Sequence, residues 1–199
     1  MKKIGIFSGT FDPVHTGHVS FAREALKRYE LDKIFFLVEP RPRRKQGVKA
    51  FEHRVDMVKL ALKDEARMGS IVLKQARFTP HETLPVLQAR FKGAQLYMLM
   101  GEDMLNHLAH WPHVADLVGT VRFIIGRRHK SAQEISQLFD ILQQTRGLNF
   151  QYDIFRANDS DISSSKVRNA VRKGQASAAI HPAVARYIKR HKLYSISGE

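Results

Sequence analysis

The chain has 199 residues, with 33 Lys and Arg against 19 Asp and Glu, for a formal charge of +14. At 43% hydrophobic and 26% charged it has the composition of an ordinary globular protein, and its length is ample for one real core. The absence of cysteine excludes disulfides, thiolate metal sites and cysteine nucleophiles; no apolar run approaches the roughly 18 residues of a membrane span, and the opening MKKIGIF lacks a secretory signal, so a cytoplasmic protein is expected.

In chain order, residues 3–8 (KIGIFS) read as a buried strand and 9–17 as a loop containing Pro13. Val19, Ala22, Leu26 and Tyr29 then recur at helical spacing, and 33–38 (KIFFLV) is a second apolar strand. After a basic, Pro-containing loop at 39–49, the spacing of Val55, Val58, Leu62 and Ala66 predicts a helix over 51–66. Residues 70–74 are strand-like, 82–91 helical, and 95–100 and 120–125 are the clearest later strands. Ser131 opens an amphipathic helix that ends before Gly147, 148–154 read as a strand, and 164–173 and 182–191 close the chain as helices. Short apolar strands alternating with helices predict an α/β fold with an open, mainly parallel sheet covered by helices on both faces. No linker tract or internal repeat interrupts it, so 1–199 is expected to be one domain with a small helical extension from about residue 160.

The excess charge fits a nucleic-acid surface, a polyanionic small ligand or a solvated surface, and the count does not choose among them. Position is more informative. Residues 41–49 hold five Lys and Arg and no acid, and residues 166–192 hold eight and no acid.

In open α/β sheets, ligands sit beyond the carboxyl ends of the strands, which directs attention to the loops after Ser8, Val38, Met100 and Ile154. The loop GTFDPVHTGH, residues 9–18, is neither a GxGxxG fingerprint nor a Walker A loop. It nevertheless has the parts of a phosphate site. Gly9 and Gly17 permit close backbone approach, Thr16 can cap the following helix, and free N–H groups at that helix start favour an anion. His15 and His18, three residues apart, can aim N–H donors at the same anion, and Asp12 can hold a magnesium ion directly or through water. A His pair at this spacing alone is more readily a helix cap or surface pair; its strand–loop–helix setting gives it weight.

GTFDPVHTGH resembles the HxGH signature of the nucleotidyltransferase superfamily, and in its longer form GTFDPxHxGH it resembles the nicotinate (or nicotinamide) mononucleotide adenylyltransferases. Near the other end, Ile162 to Arg168 (ISSSKVR) would by itself be a capped helix start with nearby cations. It resembles the superfamily's ISSTxxR motif, with Ser165 in place of Thr. FEHRVDM at 51–57 is similar to the HRxxM helix, GEDML at 101–105 with Trp111 to GxDxLxxLxxW, and the segment 182–194 to the PxxVxxYIxxHxLY ending. Two segments depart from the pattern. The usual Pro-Pro-His-Lys stretch is replaced by PRPRRK at 40–45, and YTxDTL by FTPHETL at 78–84.

The resemblance implies a Rossmann-like fold and adenylyl transfer: the phosphate of a pyridine mononucleotide attacks the α-phosphorus of ATP in line, and pyrophosphate leaves. It places His15 and His18 on the α-phosphate and the leaving oxygens, Lys45 and Arg168 on the β- and γ-phosphates, and Mg²⁺ near Asp12. Gly9, Thr10, Phe11, Asp12, Gly17 and Gly101 would line the nucleotide, Asp103 would bind ribose or nucleotide, and Ser163, Ser164 and Ser165 would hold the triphosphate. Thr83 and Trp111 would border the acceptor, although a lone Trp is as readily core. Arg172, Lys173, Arg186, Lys189, Arg190 and Lys192 exceed what one triphosphate engages and read as solvated surface. His107, His110 and His113 recur at three-residue spacing, but Pro112 breaks the helix and no carboxylate completes a zinc motif; a surface histidine patch is expected.

Two rival readings remain at this point. One is a related transferase with another phosphorylated acceptor or CTP as donor. The other is a basic nucleic-acid-binding module, against which stands the lack of any nucleic-acid motif or basic–aromatic alternation. A homo-oligomer is compatible with the sequence.

Overall fold

The computed structural model describes residues 1–42, 46–75, 77–158, 161–175 and 178–195. Six strands, β1 (Lys3–Gly9), β2 (Lys33–Val38), β3 (Met68–Ile71), β4 (Gln95–Gly101), β5 (Val121–Arg127) and β6 (Gln151–Arg156), form one sheet in the order β3-β2-β1-β4-β5-β6. Every neighbouring pair is parallel, with Ile6 opposite Phe35 on one side and Met98 on the other. The helices are α1 (Thr16–Arg28), α2 (Phe51–Ala61), α3 (Pro80–Arg90), α4 (Glu102–Leu108), α5 (Ala132–Arg146), α6 (Ser164–Arg172) and α7 (Pro182–Arg190), with a 3₁₀ turn at Val114–Leu117.

The period-2 alternation of the strands sorts the core into two layers. Ile34, Phe36, Val38, Tyr97, Leu99 and Ile124 face one side, where α1, α2, α6 and α7 supply Ala22, Val58, Val167 and Val184. Ile4, Ile6, Leu96, Met98, Phe123 and Ile125 face the other, against Leu87 of α3, Leu105 of α4 and Phe139 of α5. The two C-terminal helices thus belong to the main core. The Tyr187 hydroxyl of α7 donates to Asp56 of α2 at 3.1 Å and meets His53 Nδ1 at 2.9 Å.

The largest departures from the sequence expectation fall at three elements. α2 stops at Ala61 rather than near residue 66, because the chain must turn in time to pair Met68 with Ile34. β3 accordingly runs Met68–Ile71 instead of 70–74; Ile71 is buried opposite Leu37, whereas Val72 is 47% exposed and outside the sheet. Strand β6 begins at Gln151 rather than 148, since Gly147 (φ 65°) caps α5 and the Leu148 N–H donates back to the Leu142 carbonyl at 3.4 Å. That residue completes the helix stop instead of starting the strand.

The chain leaves β1 toward β2 on one side, while β4 continues the sheet on the other. A crevice opens at this switch point, beyond the carboxyl ends of the strands.

Candidate active site

The loop after β1 is shaped by aromatic packing. Phe11 adopts a left-handed conformation (φ 49°) and lies against Phe7 and Phe36, with ring centroids 5.4 and 5.2 Å away. Its ring occupies the space above Gly9, where a Cβ would stand 2.9 Å from the ring edge. Gly9 is therefore required for close packing, and the Phe11 ring is part of the core. A buried cation holds this loop from below. Arg54 of α2, 1% exposed, donates to the carbonyls of Thr10 and Glu39 at 2.8 Å each and of Lys49 and Pro40 at 2.9 Å each. One guanidinium thus ties the loops after β1 and β2 together.

At the head of α1, His15 rather than Thr16 is the N-cap residue. Its backbone N–H donates to His18 Nδ1 at 3.2 Å, and the two imidazoles stack with centroids 3.6 Å apart. Accepting at Nδ1 leaves the proton of neutral His18 on Nε2. The Thr16 N–H is already spent on the Ala179 carbonyl at 2.7 Å, so the helix start offers an anion fewer free donors than its sequence suggests.

His15 is buried, and its Nδ1 has no hydrogen-bond partner among the described residues. Burial lowers its pKa to about 4, with the nearby Arg128 charge adding to the effect. His15 is therefore neutral at pH 7, and among the described residues Arg128, Arg168 and Arg172 bring positive charge to the cleft. A stability consequence follows. Between its ordinary value of 6.5 and about 4, the unfolded chain takes up a proton that the folded chain refuses, so stability falls as pH drops through that window. The shift corresponds to an upper bound of about 3 kcal/mol. Urea denaturation at about pH 7 and about pH 4.5 is expected to show a larger acid loss in the parent chain than in His15→Gln. Equal losses would place the acid sensitivity elsewhere.

The second motif is bound directly to the first. Ser164 Oγ donates to the Pro13 carbonyl at 3.0 Å, and Arg168 Nη1 to the Asp12 carbonyl at 2.7 Å, while Arg168 Nη2 donates to Ser165 Oγ at 3.0 Å. Ser163 caps α6, accepting from the Lys166 N–H at 3.3 Å. The Asp12 carboxylate is buried and accepts from the Tyr194 hydroxyl at 2.5 Å and the Lys49 N–H at 3.4 Å. Burial, reinforced by Asp12, pushes the Tyr194 pKa upward, so the phenol stays protonated as a donor.

A third element comes from the turn after β5. Glu102, buried at the start of α4, accepts from three successive backbone N–H groups, those of Arg128 at 2.7 Å, His129 at 2.9 Å and Lys130 at 3.1 Å. Desolvation opposes its ionisation, but these three bonds prevail and hold its pKa below the usual carboxylate value. The turn delivers Arg128 to the cleft. Glu102→Gln would set an amide N–H against a backbone N–H, with an expected cost of about 1–3 kcal/mol. A shift in the urea midpoint at unchanged slope measures it.

These parts enclose a cleft of about 500 Å³ lined by Thr10, Asp12, His15, His18, residues 46–48, Arg128, Ser163, Ser164, Ser165, Arg168 and Arg172. A smaller recess shares His18 and Arg128 and adds Gly17, Gly101 and Gly126. The structure thus brings together most of the residues singled out in the sequence. Arg172, read there as surplus surface charge, lines the cleft instead, because one turn of α6 carries it beside Arg168. Arg128 and residues 46–48 were missed; the loop after β5 obeys the same strand-end rule as the four inspected, and that was the available signal. Lys45 lies outside the described residues. Asp103 is exposed on α4 and away from the cleft lining. Thr83 and Trp111 also stand apart. Thr83 is buried, accepts from the Thr79 N–H at 3.0 Å, and borders a separate small recess with Gln75, Arg77 and Phe78. Trp111 packs on Phe78 with centroids 5.7 Å apart.

A parallel sheet whose switch point carries a stacked His pair, a serine-capped helix and three arginines defines a nucleotidyltransferase. The chain belongs to the cytidylyltransferase-like family, whose profile matches residues 6–170. More narrowly, it belongs with the nicotinate-nucleotide adenylyltransferases. A protein of Solibacter usitatus named "probable nicotinate-nucleotide adenylyltransferase" is 32% identical over 97% of this chain and 100% of its own length. One of the same name from Neisseria gonorrhoeae is 33% identical over 98% and 99%. The Plasmodium falciparum nicotinic acid mononucleotide adenylyltransferase complexed with NaAD shares the fold, with a TM-score of 0.77 over 98% of both chains at 21% identity.

Proposed function

We propose that the chain transfers the adenylyl group of ATP to nicotinate mononucleotide, releasing pyrophosphate and forming the dinucleotide for NAD biosynthesis. The observation that carries this reading is the stacked His15–His18 pair set between Arg128 and Arg168 at the switch point of the sheet. In the reaction an acceptor phosphate oxygen bonds to the α-phosphorus, and the bond from that phosphorus to the bridging oxygen breaks in line. The nucleophile is already an anion, so no general base or covalent intermediate is needed, and catalysis is positioning plus charge stabilisation.

His18, with its proton on Nε2, donates to the α-phosphoryl oxygens as charge gathers there. Arg128, Arg168 and Arg172 neutralise the β- and γ-phosphates and the departing pyrophosphate, a role in which Lys45 joins them. The recess bordered by Gly17, Gly101 and Gly126 is the place for the adenosine; Gly126 there admits the ring of Phe21, 2.6 Å from where a Cβ would stand, as part of its wall. On the acceptor side, Gln75, Arg77 and Thr83 border a recess of about 10 Å³ that must widen to receive the pyridine ring, and the Arg77 cation would suit a carboxylate there better than an amide.

The cleft fits magnesium brought in by the nucleotide. Asp12 is the carboxylate in its lining, and magnesium typically takes one or two carboxylates with substrate phosphates and water. Bound there, the ion would supply further charge neutralisation to the triphosphate, with Asp12 its holder directly or through water.

Pyrophosphate release by the purified chain, measured with ATP or CTP against nicotinate mononucleotide, nicotinamide mononucleotide and pantetheine phosphate, tests the assignment. Highest kcat/KM is expected for ATP with nicotinate mononucleotide. Turnover confined to pantetheine phosphate or to CTP would overturn it.

A further inference from the structure

Of the histidines regularly spaced along residues 107–113, the His110 N–H donates to the His107 carbonyl at 3.0 Å, whereas the His113 side chain meets partners from elsewhere in the chain. His113 stacks on His81, with ring centroids 4.7 Å apart, and His81 Nδ1 lies 3.6 Å from Asp116 Oδ2. One ligand atom from each of the three residues lies within 4.8 Å of the other two. We propose that His81, His113 and Asp116 bind a single zinc-type divalent cation. This proposal is independent of the adenylyl-transfer reading.

The donor set carries the chemistry. Two imidazole nitrogens and one carboxylate oxygen suit zinc and its late first-row neighbours, whereas magnesium prefers oxygen alone. Tetrahedral zinc with bonds of about 2.0–2.1 Å holds its ligand atoms about 3.3 Å apart. All three side chains are exposed, so rotamer adjustment closes the remaining gap without moving the core. The fourth position is left to water.

The backbone prepares the arrangement from two separate elements. His81 stands on the first turn of α3, while His113 takes a left-handed conformation (φ 55°, ψ 32°) immediately before the 3₁₀ turn that carries Asp116. A bound cation would clamp α3 to that turn. Trp111, two residues before His113, packs on Phe78, two residues before α3, so the clamp would join the same two segments that this aromatic contact joins.

That contact supplies a reporter, because Trp111 is the chain's single tryptophan. The untagged chain is titrated with Co²⁺ and then Zn²⁺. Saturable 1:1 binding is expected, with the intense visible bands of tetrahedral Co²⁺, their loss on Zn²⁺ addition, and a change in Trp111 fluorescence. His81→Ala and His113→Ala should each weaken binding by at least about tenfold, with unaltered circular dichroism. The double variant His107→Ala/His110→Ala should bind as the parent does. Absence of saturable binding, undiminished affinity in the His81 and His113 variants, or loss of binding in the double variant would each overturn the proposal.

Discussion

His18→Ala is expected to lower kcat by about 10²–10³-fold, the usual loss when one preorganised donor to a developing oxyanion is removed. Three features of the structure favour His18 for that role. Its Nδ1 is committed to the His15 N–H at 3.2 Å, which leaves Nε2 to carry the proton. Its ring is held in orientation by stacking on His15 and by Phe7 and Phe11, at 3.6, 5.9 and 5.1 Å between centroids. It also borders both the main cleft and the glycine-lined recess, where the two parts of a nucleoside triphosphate join. Steady-state kinetics with circular dichroism checks the prediction, and His18→Gln, which retains a side-chain N–H, should recover part of the rate. Near-normal turnover in His18→Ala would refute the assignment.

Arg54→Ala is expected to destabilise the protein by about 3–5 kcal/mol, among the largest single-residue effects the fold allows. The guanidinium donates four hydrogen bonds to backbone carbonyls, and those acceptors belong to the loops after β1 and β2. Desolvation disfavours the Arg54 cation, while Asp12, Tyr194 and Glu39 favour it; desolvation prevails and lowers its pKa. A guanidinium is basic enough to stay charged at neutral pH all the same. Removing it leaves buried carbonyls without a donor and frees Thr10 from its anchor. Arg54→Lys keeps the charge but cannot reproduce the planar fork, so an intermediate loss is expected. Denaturant unfolding measures both. A change below about 1 kcal/mol in Arg54→Ala would show that water replaces the guanidinium at little cost.

Arg54 also marks what the sequence concealed. The HRxxM resemblance was visible, but amphipathic spacing in 51–57 reads as an ordinary helix, and nothing local reveals that an arginine will be buried against carbonyls from two distant loops. Glu102 is similar. It stands beside the recognisable Gly101 and Asp103, yet it is the buried carboxylate gathering three N–H groups, while Asp103 is exposed. Polar residues that act on backbone from another part of the chain leave no period to read. The strands were legible because β1, β2, β4 and β5 are compact apolar runs, and α5 because Ser131 and Gly147 punctuate it. α4 has only seven residues, too few to establish a helical period. The edge strands β3 and β6 were displaced because their limits are set by pairing with β2 and by the stop of α5.

Tyr194 and Arg168 reach back 182 and 156 residues to hold Asp12. In a chain emerging from the ribosome, the HxGH loop is therefore made early and fastened late. β1 can find β2 and then β4 as each appears, but the loop acquires its partners only after α6 and the segment beyond α7 have been synthesised. If this loop carries the chemistry as proposed, its site would close last, and activity would report that folding has run to its end.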